Sequence, residues 1–377
     1  MLLRTRYRIG AILCLLLPFL LATTVIARAQ PRQPAARMIG QRITEYELPR
    51  PASQPHDIVV GPDANIWFTE LAGNAIGRVN VISGTLDEFA LPVANSQPAG
   101  LAAGKFGNLR FTQSGRNRIG RISPAGVVGS DYPLPSPGSD PWDLVVADDG
   151  LSLWFTELSA DRIGRITTGN SPKVTDVITL TQGSLPYQIT VGVGGRFWFT
   201  ERGANMIGRL TVISDTQTAL DEYPVPTPGS EPYGITLGPD KNIWFTEYAG
   251  NKIGRVTRGT TPPVIVEFPI PTPASGPAGI TVGPDGNLWF VERQGNKIGR
   301  ITPEGVITEF PLPNLGSAPE AIVAGPDGNL WFTEADGNRI GRFEVSLRLY
   351  LPLVASSLFS PGLRAAVASQ AKPPIIP

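Results

Sequence analysis

Gly283-Pro284-Asp285-Gly286-Asn287-Leu288-Trp289-Phe290-Val291-Glu292, with Ile298-Gly299-Arg300 close behind, is the stretch on which the reading of this chain turns. Its Trp-Phe pair recurs at Trp67-Phe68, Trp154-Phe155, Trp198-Phe199, Trp244-Phe245 and Trp331-Phe332, with Arg110-Phe111 as a degenerate copy. Ile-Gly-Arg ends at Arg78, Arg121, Arg165, Arg209, Arg255, Arg300 and Arg342. Successive copies lie 42 to 46 residues apart, a spacing that signals a repeat architecture. Within one copy, Ala278–Val282 is a β-type run and Gly283-Pro284-Asp285-Gly286 is a tight turn, with proline presetting φ and glycine tolerating a positive one. Asn287–Glu292 alternates Leu288 and Phe290 on one face with Trp289 and Val291 on the other, so both faces need covering. Lys297–Thr302 and Val306–Phe310 supply a third and a fourth strand.

Four-stranded antiparallel units, apolar on both faces, need a neighbour on each side, and radial repetition provides one. The sequence therefore predicts an all-β, seven-bladed β-propeller over residues 42–345. The fourth-strand phrase appears as Thr44-Glu45-Tyr46-Glu47-Leu48-Pro49 ahead of the first Trp-Phe and is missing after Arg342. An N-terminal strand should thus complete the last blade and close the ring. Arg348–Val354 is apolar enough to offer that strand instead, or to cover a blade edge. A residue present in every blade serves the ring. The repeated arginines are expected to bond carbonyls or carboxylates between blades, with Glu70, Glu157, Glu201, Glu247, Glu292 and Glu334 as partners.

The ends read differently. Arg4, Arg6 and Arg8, the apolar run Ile9–Leu21 and the small residues flanking Arg28 make residues 1–29 an export signal, and the expected location extracytoplasmic or secreted. Its removal takes four arginines, no acid and the only cysteine, Cys14, leaving 28 Lys and Arg against 32 Asp and Glu. That chain has no disulfide or thiolate metal site and no basic surface for nucleic acid. Nor does it offer a membrane segment beyond the signal, and it is expected to be a monomer. Residues 30–41 read as a flexible lead, and 346–377 as a C-terminal extension, largely disordered after about residue 355.

Chemistry belongs where the copies differ. The residue after proline in Pro-x-x-Ile or Pro-x-x-Leu is His56, Ala99, Trp142, Tyr187, Tyr233, Ala278 and Glu320 in copies one to seven. It opens the innermost strand, at one mouth of the central channel. Trp142, Tyr187, Tyr233 and Tyr248, with Arg202, Arg293 and Glu231, form a candidate site for a small-molecule or peptide-like amphipathic ligand. His56 is the only histidine, and copies one and seven are neighbours in a closed ring, so His56 and Glu320 form a candidate catalytic acid–base pair.

The phrases of residues 283–290, 295–302 and 308–313 (Gly-Pro-Asp-Gly-Asn-Leu-Trp-Phe, Gly-Asn-Lys-Ile-Gly-Arg-Ile-Thr and Thr-Glu-Phe-Pro-Leu-Pro) resemble the virginiamycin B lyase, or streptogramin lyase, family over about residues 42–343. The resemblance implies enzymes that open cyclic depsipeptide antibiotics by elimination at the ester bond, using histidine, glutamate and Mg²⁺ at one channel mouth. The implied histidines follow proline in blades six and seven, and the implied glutamate stands two residues before the second. Those positions are Ala278, Glu320 and Ala318 here. The fifth blade carries Glu231-Pro232-Tyr233-Gly234, with tyrosine where a base would stand. The expected function is a lyase-like propeller that binds at its mouth without the family chemistry. Its alternatives are a carbon–oxygen lyase with a site rebuilt around His56 and Glu320 with Mg²⁺, and an extracellular scaffold.

Overall fold

The computed structural model describes residues 42–345 apart from 105–106, 170 and 215–216. The export signal, the lead, the C-terminal extension and the alternative strand Arg348–Val354 lie outside the described residues. Seven four-stranded antiparallel sheets make up the described chain. Their inner strands are Pro55–Val60, Pro98–Ala103, Pro141–Val146, Pro186–Val191, Pro232–Leu237, Pro277–Val282 and Pro319–Ala324. In blades one to six the chain runs from inner to outer strand in sequence order. The seventh is completed by Ile43–Glu47, antiparallel to Arg339–Phe343 with Ile43 opposite Phe343 and Glu47 opposite Arg339. Tyr46 stacks on Trp331 at 5.5 Å, filling the place that Phe89 takes against Trp67 in blade one. The N-terminal strand closes the ring, as its sequence phrase predicts.

The repeated phrase builds the core between blades. Consecutive Trp and Phe point to opposite faces, so the tryptophan of one blade meets the phenylalanine of the next. Trp67 clusters with Phe111, Trp198 with Phe245, Trp244 with Phe290, and Trp331 with Phe68. Cross-strand register explains Ile-Gly-Arg. In blade five Trp244 faces Arg255 and Phe245 faces Gly254. The phenyl ring lies flat over that glycine, where an added Cβ would sit 2.1 Å from Phe245 Cζ. Gly254→Ala is therefore expected to lower stability by about 1–3 kcal/mol through overpacking, read as a fall in urea midpoint at unchanged slope. An unchanged midpoint would count against this account of the glycine. The guanidinium of Arg255 stacks over Trp244 at 5.2 Å and donates at 2.8 Å to the carbonyl of Pro303 in the next blade. The turn aspartate fixes the indole from the other side: Asp240 Oδ1 accepts from Trp244 Nε1 at 3.0 Å, and Asp63, Asp285 and Asp327 do the same for Trp67, Trp289 and Trp331.

Arg78 and Arg255 bridge blades through the carbonyls of Pro124 and Pro303, as expected, but the repeated glutamates are not the arginines' partners. Arg78 and Arg209 pair with Asp87 and Asp221 of the outer strand. The reason is register: arginine stands opposite tryptophan, whereas the glutamate ends its strand three residues further on, opposite position 75, 252 or 297. Glu70, Glu157, Glu247, Glu292 and Glu334 are wholly buried with the buried Ser53, Ser139, Ser230, Ser275 and Ser317 beside them, and Glu201 is wholly buried beside Glu222. Burial raises Glu70, Glu157 and Glu334 to about 7 and Glu201, Glu247 and Glu292 to about 8.

Candidate functional site at the channel mouth

Each inner strand starts with proline at the mouth and carries a β-bulge in its first turn of the pleat. In blade one, Pro55 lies opposite Glu70 and Ile58 opposite Phe68, so His56 and Asp57 occupy the bulge. The same shift follows Pro98, Pro141, Pro186, Pro232, Pro277 and Pro319. Bulges re-aim side chains, and here they turn the variable residue toward the axis. A threonine of the second strand holds the bulge. Its hydroxyl accepts the N–H two residues after the proline of its own blade, as in Asp57 N to Thr69 Oγ1 at 3.0 Å. It donates to the carbonyl of the variable residue in the next blade. Thr69 donates to Ala99, Thr112 to Trp142, Thr156 to Tyr187, Thr200 to Tyr233, Thr246 to Ala278 and Thr333 to His56, at 2.7 to 3.0 Å. Blade six has Val291 at this place, so the carbonyl of Glu320 lacks the clamp.

The mouth encloses a cavity of about 300 Å³ lined by Gln54, His56, Leu71, Trp142, Leu158, Tyr187, Arg202, Tyr233, Arg293, Glu320, Ala335 and Asp336 among others. His56, Trp142, Tyr187, Tyr233 and Tyr248 form a continuous aromatic wall, with successive ring centroids 5.1, 5.3, 4.2 and 5.4 Å apart. Behind the wall runs a polar chain. Tyr187 Oη donates to Tyr233 Oη at 2.5 Å, Tyr233 Oη donates to Glu320 Oε1, and Arg293 Nη1 donates to Glu320 Oε2 at 2.6 Å. Glu320 is 3% exposed, so its carboxylate is desolvated and both its oxygens are engaged, while the Arg293 guanidinium keeps part of its surface in water. Burial, reinforced by the Glu320 charge, pushes both phenols well above their usual range, and they stay protonated donors. Arg202 stacks over Tyr187, Tyr233 and Tyr248 and pairs with Glu231 at 2.6 Å. Burial opposes its charge, but Glu231 beside it prevails and its pKa is raised.

The sequence-predicted residues therefore gather at one mouth, with two differences in detail. His56 and Glu320 line the same cavity without sharing a hydrogen bond. The imidazole turns edge-on to Trp142, with Nδ1 3.4 Å from the carbonyl of Ala99, while Glu320 is taken by Tyr233 and Arg293. Glu231 and Tyr248 stand at the rim, as partners of Arg202 and Gln294. Asp336 and Gln54 were not among the predicted residues; both lie in loops where the copies differ, which is the signal that marks them. The threonine clamp was also unforeseen, because a residue shared by nearly every blade gives no contrast between copies. Below the wall, Asp57, Asp143 and Gln188 face the channel, each accepting a backbone N–H from the following blade.

The implied Mg²⁺ finds no suitable donor set. Mg²⁺ asks for oxygen ligands, usually one or two carboxylates. Glu320 has one oxygen on a guanidinium and the other on a phenol, and no three His, Cys, Asp or Glu side chains group for a metal among the described residues.

Comparison with known proteins places the chain. The model of the virginiamycin B lyase family matches residues 35–180 and 151–350. A streptogramin B lyase structure superposes with a TM-score of 0.73 and 38% identity, covering 81% of this chain and 98% of that one. A catalytically inactive histidine-to-alanine variant of virginiamycin B lyase from Staphylococcus aureus, solved with quinupristin, gives 0.73 at 37% identity, covering 81% of this chain and 100% of that one. A virginiamycin B lyase of Bacillus licheniformis is 50% identical over 38 residues, 10% of this chain, and the match spans only 13% of that relative.

Proposed function

Since this chain belongs to the virginiamycin B lyase family, we propose that it is an exported propeller whose mouth binds a cyclic or peptide-like amphipathic ligand without opening it. The observation that carries this reading is the closed chain from Arg293 through Glu320 and Tyr233 to Tyr187. Elimination at an ester needs a base that takes the proton α to the carbonyl. The group that stands at an implied histidine position is Glu320, whose two oxygens each accept a hydrogen bond, one from a guanidinium and one from a phenol, which lowers its basicity. The phenols are held protonated, and Ala278 offers nothing. A relative becomes inactive when one histidine is replaced by alanine, and this chain carries alanine at an implied histidine position. What remains is suited to recognition. The aromatic wall accepts flat or apolar groups, and the paired arginines leave little net charge to demand an ion.

Two measurements test the proposal. Quinupristin incubated with the protein and Mg²⁺ should be recovered at unchanged mass. Appearance of the linear product, abolished by His56→Ala, would overturn the proposal in favour of a rebuilt lyase. Calorimetric titration of the same cyclic depsipeptide should show binding that Trp142→Ala weakens about 10- to 100-fold, since removing a half-buried aromatic that the ligand would cover forfeits about 1.5–3 kcal/mol. Absence of binding across a panel of cyclic and linear peptides would leave the mouth without a ligand and favour the scaffold reading.

A further inference from the structure

On the face opposite the mouth, where inner strands end and turn back, blade four departs from its sisters. The turn that reads Gly-Pro-Asp in blades one, five, six and seven is Gly192-Val193-Gly194-Gly195-Arg196 here, so Gly194 stands where Asp63, Asp240, Asp285 and Asp327 stand. Each of those aspartates accepts its blade's indole N–H. Trp198 has no such acceptor and makes no hydrogen bond among the described residues. Loss of the carboxylate also leaves Arg209 with only Asp221, at 2.7 Å, whereas Arg78 has both Asp87 and Asp63.

Beside this turn, with Val193, Arg196 and Trp198 in its wall, lies a pocket of about 160 Å³ between blades four and five. Its lining includes Arg196, Arg209, Lys241 and Arg258 around Trp198, with no acidic side chain. Arg196, Lys241 and Arg258 are exposed and make no ion pair among the described residues. Of the carboxylates nearby, Asp221 is already engaged by Arg209, and Asp148 Oδ2 is 3.9 Å from where a Cβ on Gly195 would be. Four cations converge from two blades on a concave surface with a spare indole donor. Guanidinium and ammonium groups in such an arrangement match the oxygens of a tetrahedral anion. We propose that this pocket binds a phosphate or sulfate group, with Arg196 and Lys241 as the principal ligands and Trp198 Nε1–H as a further donor.

The site is independent of the mouth and of any chemistry there. It is tested by titrating the full chain with inorganic phosphate, inorganic sulfate and phenyl phosphate at constant ionic strength, because screening alone alters exposed charges. The readouts are calorimetric heat and the Trp198 indole N–H resonance, assigned by its loss in Trp198→Phe. A saturable shift of that resonance is expected, with affinity falling at least tenfold in Arg196→Glu and again in Lys241→Glu. Equal affinity for the three anions would identify the group itself as what is read. Tighter binding of phenyl phosphate would identify an organic ester as the source. No shift of the indole resonance, or binding that survives both charge reversals, overturns the assignment. Both substituted residues are exposed, and an unchanged melting curve without anion confirms that the variants fold.

Discussion

Raising the pH from 5.5 to 8.5 is expected to lower the melting temperature steadily. Six buried glutamates, Glu70, Glu157, Glu201, Glu247, Glu292 and Glu334, have pKa values raised from an ordinary 4.5 to about 7 or 8, chiefly by burial. Between 4.5 and those values the folded chain holds protons that the unfolded chain has released, so stability falls as pH rises through this window and levels off above it. Asp57, raised to about 6, and Asp143, raised well above its ordinary value by burial and the Asp57 charge, act in the same direction. Asp63, Glu267 and Glu309 are lowered, despite partial burial, by hydrogen bonds from Asn65, Trp67, Thr227, Lys252 and Thr272. They withdraw stability only as pH falls below the ordinary carboxylate range. The optimum should therefore lie near pH 5, on the acid side. A tenfold change in proton affinity corresponds to about 1.4 kcal/mol. Allowing for a discount of about half on a shift of this size, Glu292→Gln should gain about 2 kcal/mol at pH 8.5 and about a third of that at pH 5.5. A melting temperature that stays flat or climbs toward pH 8.5 would sink this account.

Deleting the chain up to and including Glu47 should be the most damaging truncation available at the N-terminal end. Ile43–Glu47 supplies the outer strand of the seventh blade, and without it Arg339–Phe343 loses its partner along five register positions. The ladder bonds contribute about 1 kcal/mol each, and burial of Tyr46 on Trp331 adds about 2 kcal/mol, so a loss of about 5 kcal/mol or more is expected. That is comparable to the whole stability of many domains. A broad, early unfolding transition should replace a single cooperative one. A deletion that stops at residue 41 is the control and should leave the melting temperature unchanged. If both truncations melt alike, the ring is closed by something other than this strand.

The fold was legible because its signals repeat. Phe290 over Gly299 and Trp289 opposite Arg300 are local facts of register, and seven copies of them average away every irregularity. The Arg–Glu pairing failed because sequence spacing does not say which end of a strand a side chain occupies. Glu292 and Arg300 belong to paired strands yet stand at different ends of them. Much of the mouth was legible for the opposite reason. Trp142, Tyr187, Tyr233 and Glu320 stand out because their counterparts differ. What no spacing could disclose is where a long side chain is claimed by others, and Glu320 is claimed by Tyr233 and Arg293 rather than by His56. The proposed anion pocket is not legible because its signal is a substitution, Gly194 in place of aspartate, whose meaning depends on Trp198 being left without an acceptor.

The threonine clamps at the mouth have one more implication. Six of the seven variable residues are gripped by their carbonyl, and the hydroxyl that grips it is indifferent to what side chain follows. At His56, Ala99, Trp142 and Ala278, where no side chain belongs to the Tyr187–Tyr233–Glu320 chain, the frame should accept a different side chain one residue at a time without refolding. Glu320 has no such clamp, since Val291 carries no hydroxyl, and it is held by its side chain together with Tyr233 and Tyr187. Any redesign of this propeller should begin at His56, Ala99, Trp142 and Ala278 and leave Tyr187, Tyr233 and Glu320 until last.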